Sequence, residues 1–251
     1  SGAFDKVSRP LLLGKLEQLD VATSFLDFLK SYLISREGYV TVEGALSECM
    51  FLTNMIYQGT VLGPKLWNAF FSDVAMHVPD DKQHIQLFAD DLEGDASCPQ
   101  DMSSDILRRS LGEAQQRAHL WGAQHRFPFD PGKESIRIIH PSQGDDENFV
   151  LLGTLFDCKL TMQPCIDALL STLRPKVRAI AKLRFVLSEE SLLGQYKSHI
   201  WSKAEYHNGA LLIAGPVKLR KLDKLQRGFL YQLNLNDKHA FVHCNFAPPS
   251  L

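Results

Sequence analysis

An α+β fold is what these 251 residues predict. Up to about residue 156, short apolar runs of strand character alternate with amphipathic helical stretches, and from about 160 onward the pattern is helical alone. No internal repeat or low-complexity tract breaks that order. The expected organisation is a mixed domain over 1–157 followed by an all-α domain over 158–251.

Each element follows from its residue pattern. Residues 9 to 34 read as helical, because Leu11, Leu12, Leu16 and Leu19, then Phe25, Phe28, Leu29 and Leu33, recur at helix-face spacing. Tyr39–Val42 and Cys49–Leu52 look like two strands paired with each other. Residues 62 to 78 predict a helix with Pro64 in its first turn, where the missing N–H costs nothing. An acidic hairpin is expected at about 84 to 96. Ile106, Leu107, Leu111, Ala114, Ala118 and Trp121 give a long amphipathic helix over 102 to 124. Two strands follow, Ser135–Ile139 and Phe149–Phe156, separated by a solvated polar loop from Pro141 to Asn148.

Composition narrows the function classes. A hydrophobic share of 45% and a charged share of 22% are those of an ordinary globular protein. Cys49, Cys98, Cys158, Cys165 and Cys244 are odd in number and lack C-x-x-C spacing, which argues against a disulfide framework and for an intracellular, reducing setting, nuclear or organellar. No apolar run approaches the roughly 18 residues of a membrane span, so no membrane insertion is expected. Neither phosphate-cradling glycine motif, G-x-x-x-x-G-K-[ST] or G-x-G-x-x-G, occurs. His239, His243 and Cys244 have a spacing that zinc would accept, but no second ligand pair accompanies them, and a surface or core cluster is the better reading. The opening Ser1-Gly2-Ala3-Phe4-Asp5, without an initiator Met, is expected to belong to a longer protein.

Charge is unevenly distributed. Residues 171 to 230 hold twelve Lys or Arg against four acids, a net of +8, so the remainder of this −2 chain carries −10. A solvated helical face accounts for many such runs. The alternative is a surface that tracks a phosphate backbone through Arg174, Lys176, Arg178, Lys182 and Arg184, with Trp201 and Tyr206 as stacking platforms.

The most informative stretch is Phe88-Ala89-Asp90-Asp91. Adjacent acids also occur at Asp80-Asp81, Asp145-Asp146 and Glu189-Glu190, so the pair says little by itself. At the tip of an apolar hairpin, however, two carboxylates offer the hard oxygen ligands that suit a divalent cation. The neighbouring motifs give the pair its meaning. Ala3-Phe4-Asp5-Lys6-Val7 with Leu11-Leu12-Leu13-Gly14-Lys15-Leu16 resembles the end of motif A of LINE-type (non-LTR) retrotransposon reverse transcriptases. Gln58-Gly59-Thr60-Val61-Leu62-Gly63-Pro64, then Leu66-Trp67-Asn68 and Phe71-Ser72-Asp73, resembles motif B. Phe88-Ala89-Asp90-Asp91 resembles motif C, Pro131-Gly132-Lys133-Glu134 motif D, and Leu151 to Asp157 the primer-grip motif E. Five motifs in order cover residues 3 to 157, and the helical remainder resembles the thumb.

The resemblance implies a polymerase palm followed by an all-α thumb, and a reaction in which two metals hold the attacking and leaving oxygens of nucleotidyl transfer. Asp90 and Asp91 would ligate magnesium or manganese, and Lys133 would act as general acid toward pyrophosphate. Phe4 would screen the ribose 2′-hydroxyl, or serve as a core phenylalanine. Gln58 and Gly59 would approach nucleotide and template, glycine because it lacks a β-carbon, and Leu152 and Gly153 would grip the primer. The implied partners are an RNA template and a DNA primer.

Departures temper this. The family's first metal-binding aspartate lies five residues ahead of the aromatic at Phe4, two residues before Ser1, and the fingers strands precede it. The resemblance therefore implies a fragment that should not polymerise as it stands. Asp5 is expected to cap the following helix instead of replacing that carboxylate, and Tyr57 stands where the family commonly has proline. The second reading is a non-catalytic relic, a structural or RNA-binding subunit whose partners are RNA or the protein subunits of a larger assembly.

Overall fold

A computed structural model describes residues 2–53, 56–78, 83–99, 102–142, 144–145 and 147–235. His239, His243, Cys244 and the Asp80-Asp81 pair lie outside the described residues, as does Asp146. Helices and two-stranded antiparallel sheets are mixed, the α+β composition expected. The contacts gather the chain into two compact units, 1–136 and 137–251.

In the first unit, α1 (Arg9–Gln18) and α2 (Thr23–Tyr32) replace the single helical stretch expected over 9 to 34. The break is a Schellman cap: Asp20 turns left-handed (φ +55°), its N–H donates to Glu17 O (3.1 Å), and Val21 N–H donates to Leu16 O (3.2 Å). A short polar side chain tolerates that conformation, and periodicity alone does not register it. Asp5 does not cap α1. It lies inside a one-turn 3-10 helix, Phe4–Lys6, and the capping position belongs to Ser8.

The strand pairing also differs from expectation. β1 (Arg36–Gly38) pairs with β4 (Met50–Leu52), and β2 (Thr41–Val42) pairs with β3 (Ala45–Leu46) across a turn at Glu43 and Gly44, both at positive φ. Two residues at positive φ make the tight hairpin that pulls Thr41–Val42 away from the Cys49–Leu52 run. The 62–78 helix is α3 (Gly63–Phe71) and α4 (Val74–His77), interrupted at Ser72 and Asp73. The acidic hairpin is β5 (Gln83–Phe88) with β6 (Asp91–Ala96), closed by the Phe88–Asp91 pair. α5 (Ser104–Gln124) begins at Ser103, whose hydroxyl accepts from Asp105 N–H. It ends in a second Schellman cap, with Arg126 left-handed and Phe127 N–H bound to Gly122 O (2.7 Å). A β-carbon on Gly122 would stand 2.5 Å from Phe127 O, so glycine is required there for the return of the chain.

The first core is aromatic. Trp67, Phe70 and Phe71 of α3, Trp121 of α5 and Phe127 are buried together with Leu12, Leu16, Leu29 and Ile56. One ionic group lies among them. Lys15 Nζ donates to Asp73 Oδ1 (2.7 Å) and Phe70 O (2.5 Å) and lies over the Phe70 and Trp121 rings. Trp121 Nε1 donates to the same Asp73 oxygen (3.1 Å), and His125 Nε2 lies 3.7 Å from Asp73 Oδ2. Burial holds the Lys15 ammonium below its ordinary value even though Asp73 works in the opposite direction.

No strand forms at Ser135–Ile139, where the first unit passes into the second. That segment is irregular, and Ile138 N–H is taken by Asp145 Oδ2 (2.8 Å), a side chain standing in for a strand partner. The Phe149–Phe156 stretch is itself a hairpin, β7 (Phe149–Leu151) with β8 (Thr154–Phe156). Its turn residues Leu152 and Gly153 both have positive φ, the two-residue geometry that matches strand twist. This hairpin is grouped with the helices that follow, ahead of the boundary expected at 157. α6 (Gln163–Lys182), a 3-10 turn Leu183–Phe185, α7 (Glu189–Tyr196), a π-helical turn Lys197–Trp201, α8 (Ser202–Tyr206), α9 (Asn208–Leu211) and α10 (Pro216–Gln232) follow among the described residues. Ile166, Leu170, Leu173 and Val177 of α6 bury against Tyr196, Phe229 and Leu230. Cys49, Cys98, Cys158 and Cys165 are free thiols.

Asp73→Ala removes the anion from a largely buried cation and indole donor. It is expected to lower unfolding free energy by about 2–3 kcal/mol, read as the urea midpoint. Adding Lys15→Met should recover part of the loss.

Candidate functional site

Two backbone contacts and one indole assemble a cleft in the first unit. Ile56 N–H donates to Phe4 O (2.9 Å), which lays the 56–64 segment beside the N-terminal residues. Gln58 and Gly59 then form a turn, braced by Thr60 Oγ1 donating to Tyr57 O (2.7 Å) and Gly63 N–H donating to Thr60 O (3.2 Å). Gly59 takes φ +78°, and nothing lies within 4 Å of the place a β-carbon would occupy. The glycine thus serves the backbone conformation and leaves that side open. Gly63 is tight by contrast, with Tyr57 O 3.1 Å from its would-be β-carbon.

Trp67 closes the arrangement. Its ring stacks on Phe4 (5.1 Å between centroids, 22°) and on Phe71 (4.9 Å), and its Nε1 donates to Ala89 O (2.6 Å) at the tip of the acidic hairpin. Ala89 is held at φ +54°, a left-handed conformation that costs a non-glycine residue about 1–2 kcal/mol. The result is an open cleft of about 570 Å³ lined by Gly2, Ala3, Phe4, Gln58, Gly59, Thr60, Gly63, Pro64 and Asp90.

The expected site residues separate into groups. Phe4, Gln58, Gly59 and Asp90 meet in this cleft, and Phe4, half-buried, both lines it and packs on the core. Asp91 is exposed and opens β6, where alternation places it on one face with Glu93 and Asp95. Burial pushes the Glu93 carboxyl above its ordinary value, and Asp95 and Asp91 push it further. Among the described residues, no group of three or more His, Cys, Asp or Glu is arranged to hold a metal ion. Lys133 is exposed on a single 3-10 turn, Pro131–Lys133, and is not among the residues lining the cleft. Its neighbour Glu134 ties that turn to α5, accepting from Gln115 and lying 3.0 Å from His119 Nε2.

Leu152 and Gly153 lie in the second unit at the tip of the β7–β8 hairpin. Tyr206 Oη donates to Leu152 O (2.9 Å), its ring lies against Gly153, and His207 Nδ1 is 2.8 Å from Thr154 Oγ1. Burial holds the His207 imidazole below its ordinary value, favouring the neutral ring. The basic residues divide. Arg174, Arg178 and Lys182 are exposed and follow one line of α6 at four-residue spacing, with exposed Arg184 just beyond. Lys176 lies on another face, where the ammonium of Lys203 pushes its own below the ordinary value.

Comparison with known proteins carries the matter further. No family model matches the chain. It aligns over 92% of its length, at 28% identity, with the RNA-directed DNA polymerase from mobile element jockey of Drosophila melanogaster. The jockey polymerase of Drosophila funebris aligns over 92% at 25%, and the probable RNA-directed DNA polymerase from transposon BS of Drosophila melanogaster over 76% at 26%. This chain is a relative of the non-LTR retrotransposon RNA-directed DNA polymerases. The matches cover 27%, 27% and 22% of those proteins, so the chain spans about a quarter of the relatives' length.

Trp67 and Asp73 fall within the motif B resemblance, but the resemblance gives neither of them a part in shaping the cleft. Trp67 reads from sequence as one more apolar helix residue, and only its indole N–H, which needs an acceptor when buried, hints at a tether. Asp73 is a charge within an apolar run, and a charge so placed needs a partner. Within the second unit, no local signal ties Tyr206 and His207 to the β7–β8 hairpin, which lies some fifty positions away in sequence.

Trp67→Phe keeps most of the ring stacking and loses the donor to Ala89. Stability should fall by about 1–3 kcal/mol, with faster amide exchange across 84–96 than elsewhere in the unit. Glu93 gives a pH test. Its folded-state pKa lies above the unfolded one, so its contribution is full below the ordinary glutamate range and is lost as pH rises through the raised value. Glu93→Gln is therefore expected to stabilise the protein by a few tenths of a kcal/mol at pH 7 and to change nothing near pH 3.

Proposed function

We propose that this chain forms the palm and thumb portion of an RNA-directed DNA polymerase of the non-LTR class. The cleft that gathers Phe4, Gln58, Gly59 and Asp90 is its nucleotide site. The observation that carries the reading is that convergence: residues from three separated motifs line one cavity, in a chain related along most of its length to polymerases. In this reading Phe4 screens the sugar, the Gln58–Gly59 turn presents open backbone to the nucleotide, and Asp90 faces the reacting phosphate. Residues 1–157 then correspond to the palm and 158–251 to the thumb, with the Leu152–Gly153 hairpin as primer grip. The Arg174–Arg178–Lys182 line supplies phosphate contacts to template and primer.

A divalent cation, magnesium or manganese, would supply charge neutralisation at the phosphate when bound. Asp90 and Asp91 offer oxygen ligands for it, and among the described residues no third His, Cys, Asp or Glu joins them. Lys133 as general acid would require its turn to approach the cleft on substrate binding.

A second reading rests on the exposed line of α6. It is arranged to hold a nucleic-acid backbone whether or not any chemistry occurs, which is what a non-catalytic RNA-binding subunit needs.

Primer extension in magnesium or manganese, comparing the longest natural protein that carries this chain with its Asp90→Ala variant, separates the two. Catalysis at this site predicts incorporation that Asp90→Ala lowers by about a hundredfold or more, the scale on which misplacing reacting groups is felt. Equal incorporation by both proteins sinks the site. No incorporation by either, with RNA binding lost on neutralising Arg174, Arg178 and Lys182, favours the non-catalytic reading.

A further inference from the structure

α2 carries two apolar stripes where one would suffice for folding. Leu26 and Leu29, continued by Leu33, are buried in the core, whereas Phe25 and Phe28 lie on an adjoining stripe that the core does not cover, and Tyr32 at its end is half-buried against the core. Phe25 and Phe28 are 42% and 50% exposed, well beyond what packing requires of a phenylalanine. These rings are ordered among themselves. Phe25 stacks on Phe28 (5.7 Å, 19°) and Phe28 on Tyr32 (5.9 Å, 21°), and Tyr32 meets Tyr57 edge-on (5.9 Å, 86°). Tyr57 is pinned by its hydroxyl, which donates to Ile34 O (3.0 Å), and immediately precedes the Gln58–Gly59 turn that lines the cleft. The Arg36 guanidinium lies 4.2 Å from the Tyr57 centroid and 5.9 Å from that of Tyr32. A row of aromatic rings in mutual contact therefore runs outward from the residue beside the cleft's turn, with a cation beside its inner end.

We propose that Tyr57, Tyr32, Phe28 and Phe25, with Arg36, form a stacking track for the unpaired bases of a single-stranded nucleic acid leaving or entering the cleft. Two features favour such a strand over other occupants. The row begins at Tyr57, one residue before the Gln58–Gly59 turn that lines the cleft, and its cation stands at that inner end, where it can meet a phosphate. Bases stack on aromatic side chains without regard to sequence, and an adjacent guanidinium adds both charge and a further planar surface. The inference rests on the polymerase reading of the cleft and adds to it the route and the chemistry of the strand.

The test is fluorescence anisotropy of a labelled oligouridylate and of an abasic oligomer of equal length, at one fixed salt concentration, using the whole chain. Phe25→Ala with Phe28→Ala should weaken oligouridylate binding by about tenfold per ring removed and leave abasic binding unchanged, because stacking is lost while backbone charge is kept. Phe25→Leu with Phe28→Leu, which preserves apolar bulk, should show the same selective loss. An unchanged affinity in both double variants overturns the track, as does an equal loss for both oligomers. Failure of the polymerase reading looks different: there Asp90→Ala leaves primer extension as it was while the unaltered protein still binds both oligomers.

Discussion

Trp67 is the residue on which the geometry of the cleft depends. One indole stacks on Phe4, packs on Phe71 and Phe127, and hydrogen-bonds the carbonyl of Ala89. These contacts join the N-terminal segment, α3 and the tip of the acidic hairpin at the rim of the cleft. A buried N–H without an acceptor is costly, and Ala89 O satisfies it only when the hairpin turn is held in its left-handed form. The hydrogen bond and the strained backbone therefore stabilise each other, and Asp90, the next residue, is aimed by both.

Beneath this layer, the Lys15–Asp73 pair plays a comparable part for the helices. Ion pairs in apolar surroundings add little net stability but are intolerant of rearrangement, because losing one partner leaves a charge without compensation. With Trp121 sharing the Asp73 carboxylate and His125 stacked on that indole at 4.3 Å, the pair fixes how α1, α3, α4 and α5 meet. The Schellman caps after α1 and α5 set the lengths of the helices that arrive there. A polar specification inside an aromatic core gives one arrangement where hydrophobic burial alone would accept several.

Charge is handled differently at the two kinds of surface. Burial, and after it the crowding of the β6 acids on one strand face, raises the Glu93 pKa, and among the described residues no basic side chain pairs with it. The cations of α6 are spread along a line, with Arg174, Arg178 and Lys182 separated by whole turns. Crowded carboxylates favour anything that neutralises them, whereas a spaced row of cations suits a regularly spaced polyanion.

The sequence by itself determined which segments would be helical, where the acidic hairpin would turn, and the order of motifs that marks Phe4, Gln58, Gly59 and Asp90. Those properties depend on local periodicity and on short-range turn chemistry. Strand partners were not legible: Thr41–Val42 pairs with Ala45–Leu46 because Glu43 and Gly44 adopt positive φ, and Ser135–Ile139 remains irregular because Asp145 takes an N–H that a strand would have used. Nor was the separation of Lys133 from the cleft, since motif order carries no distances. Only the tertiary structure decided that four residues spread from position 4 to position 90 share one cavity. That convergence requires an indole N–H, an aromatic stack and a backbone bond between Phe4 and Ile56, all contacts across long stretches of chain that no local pattern encodes.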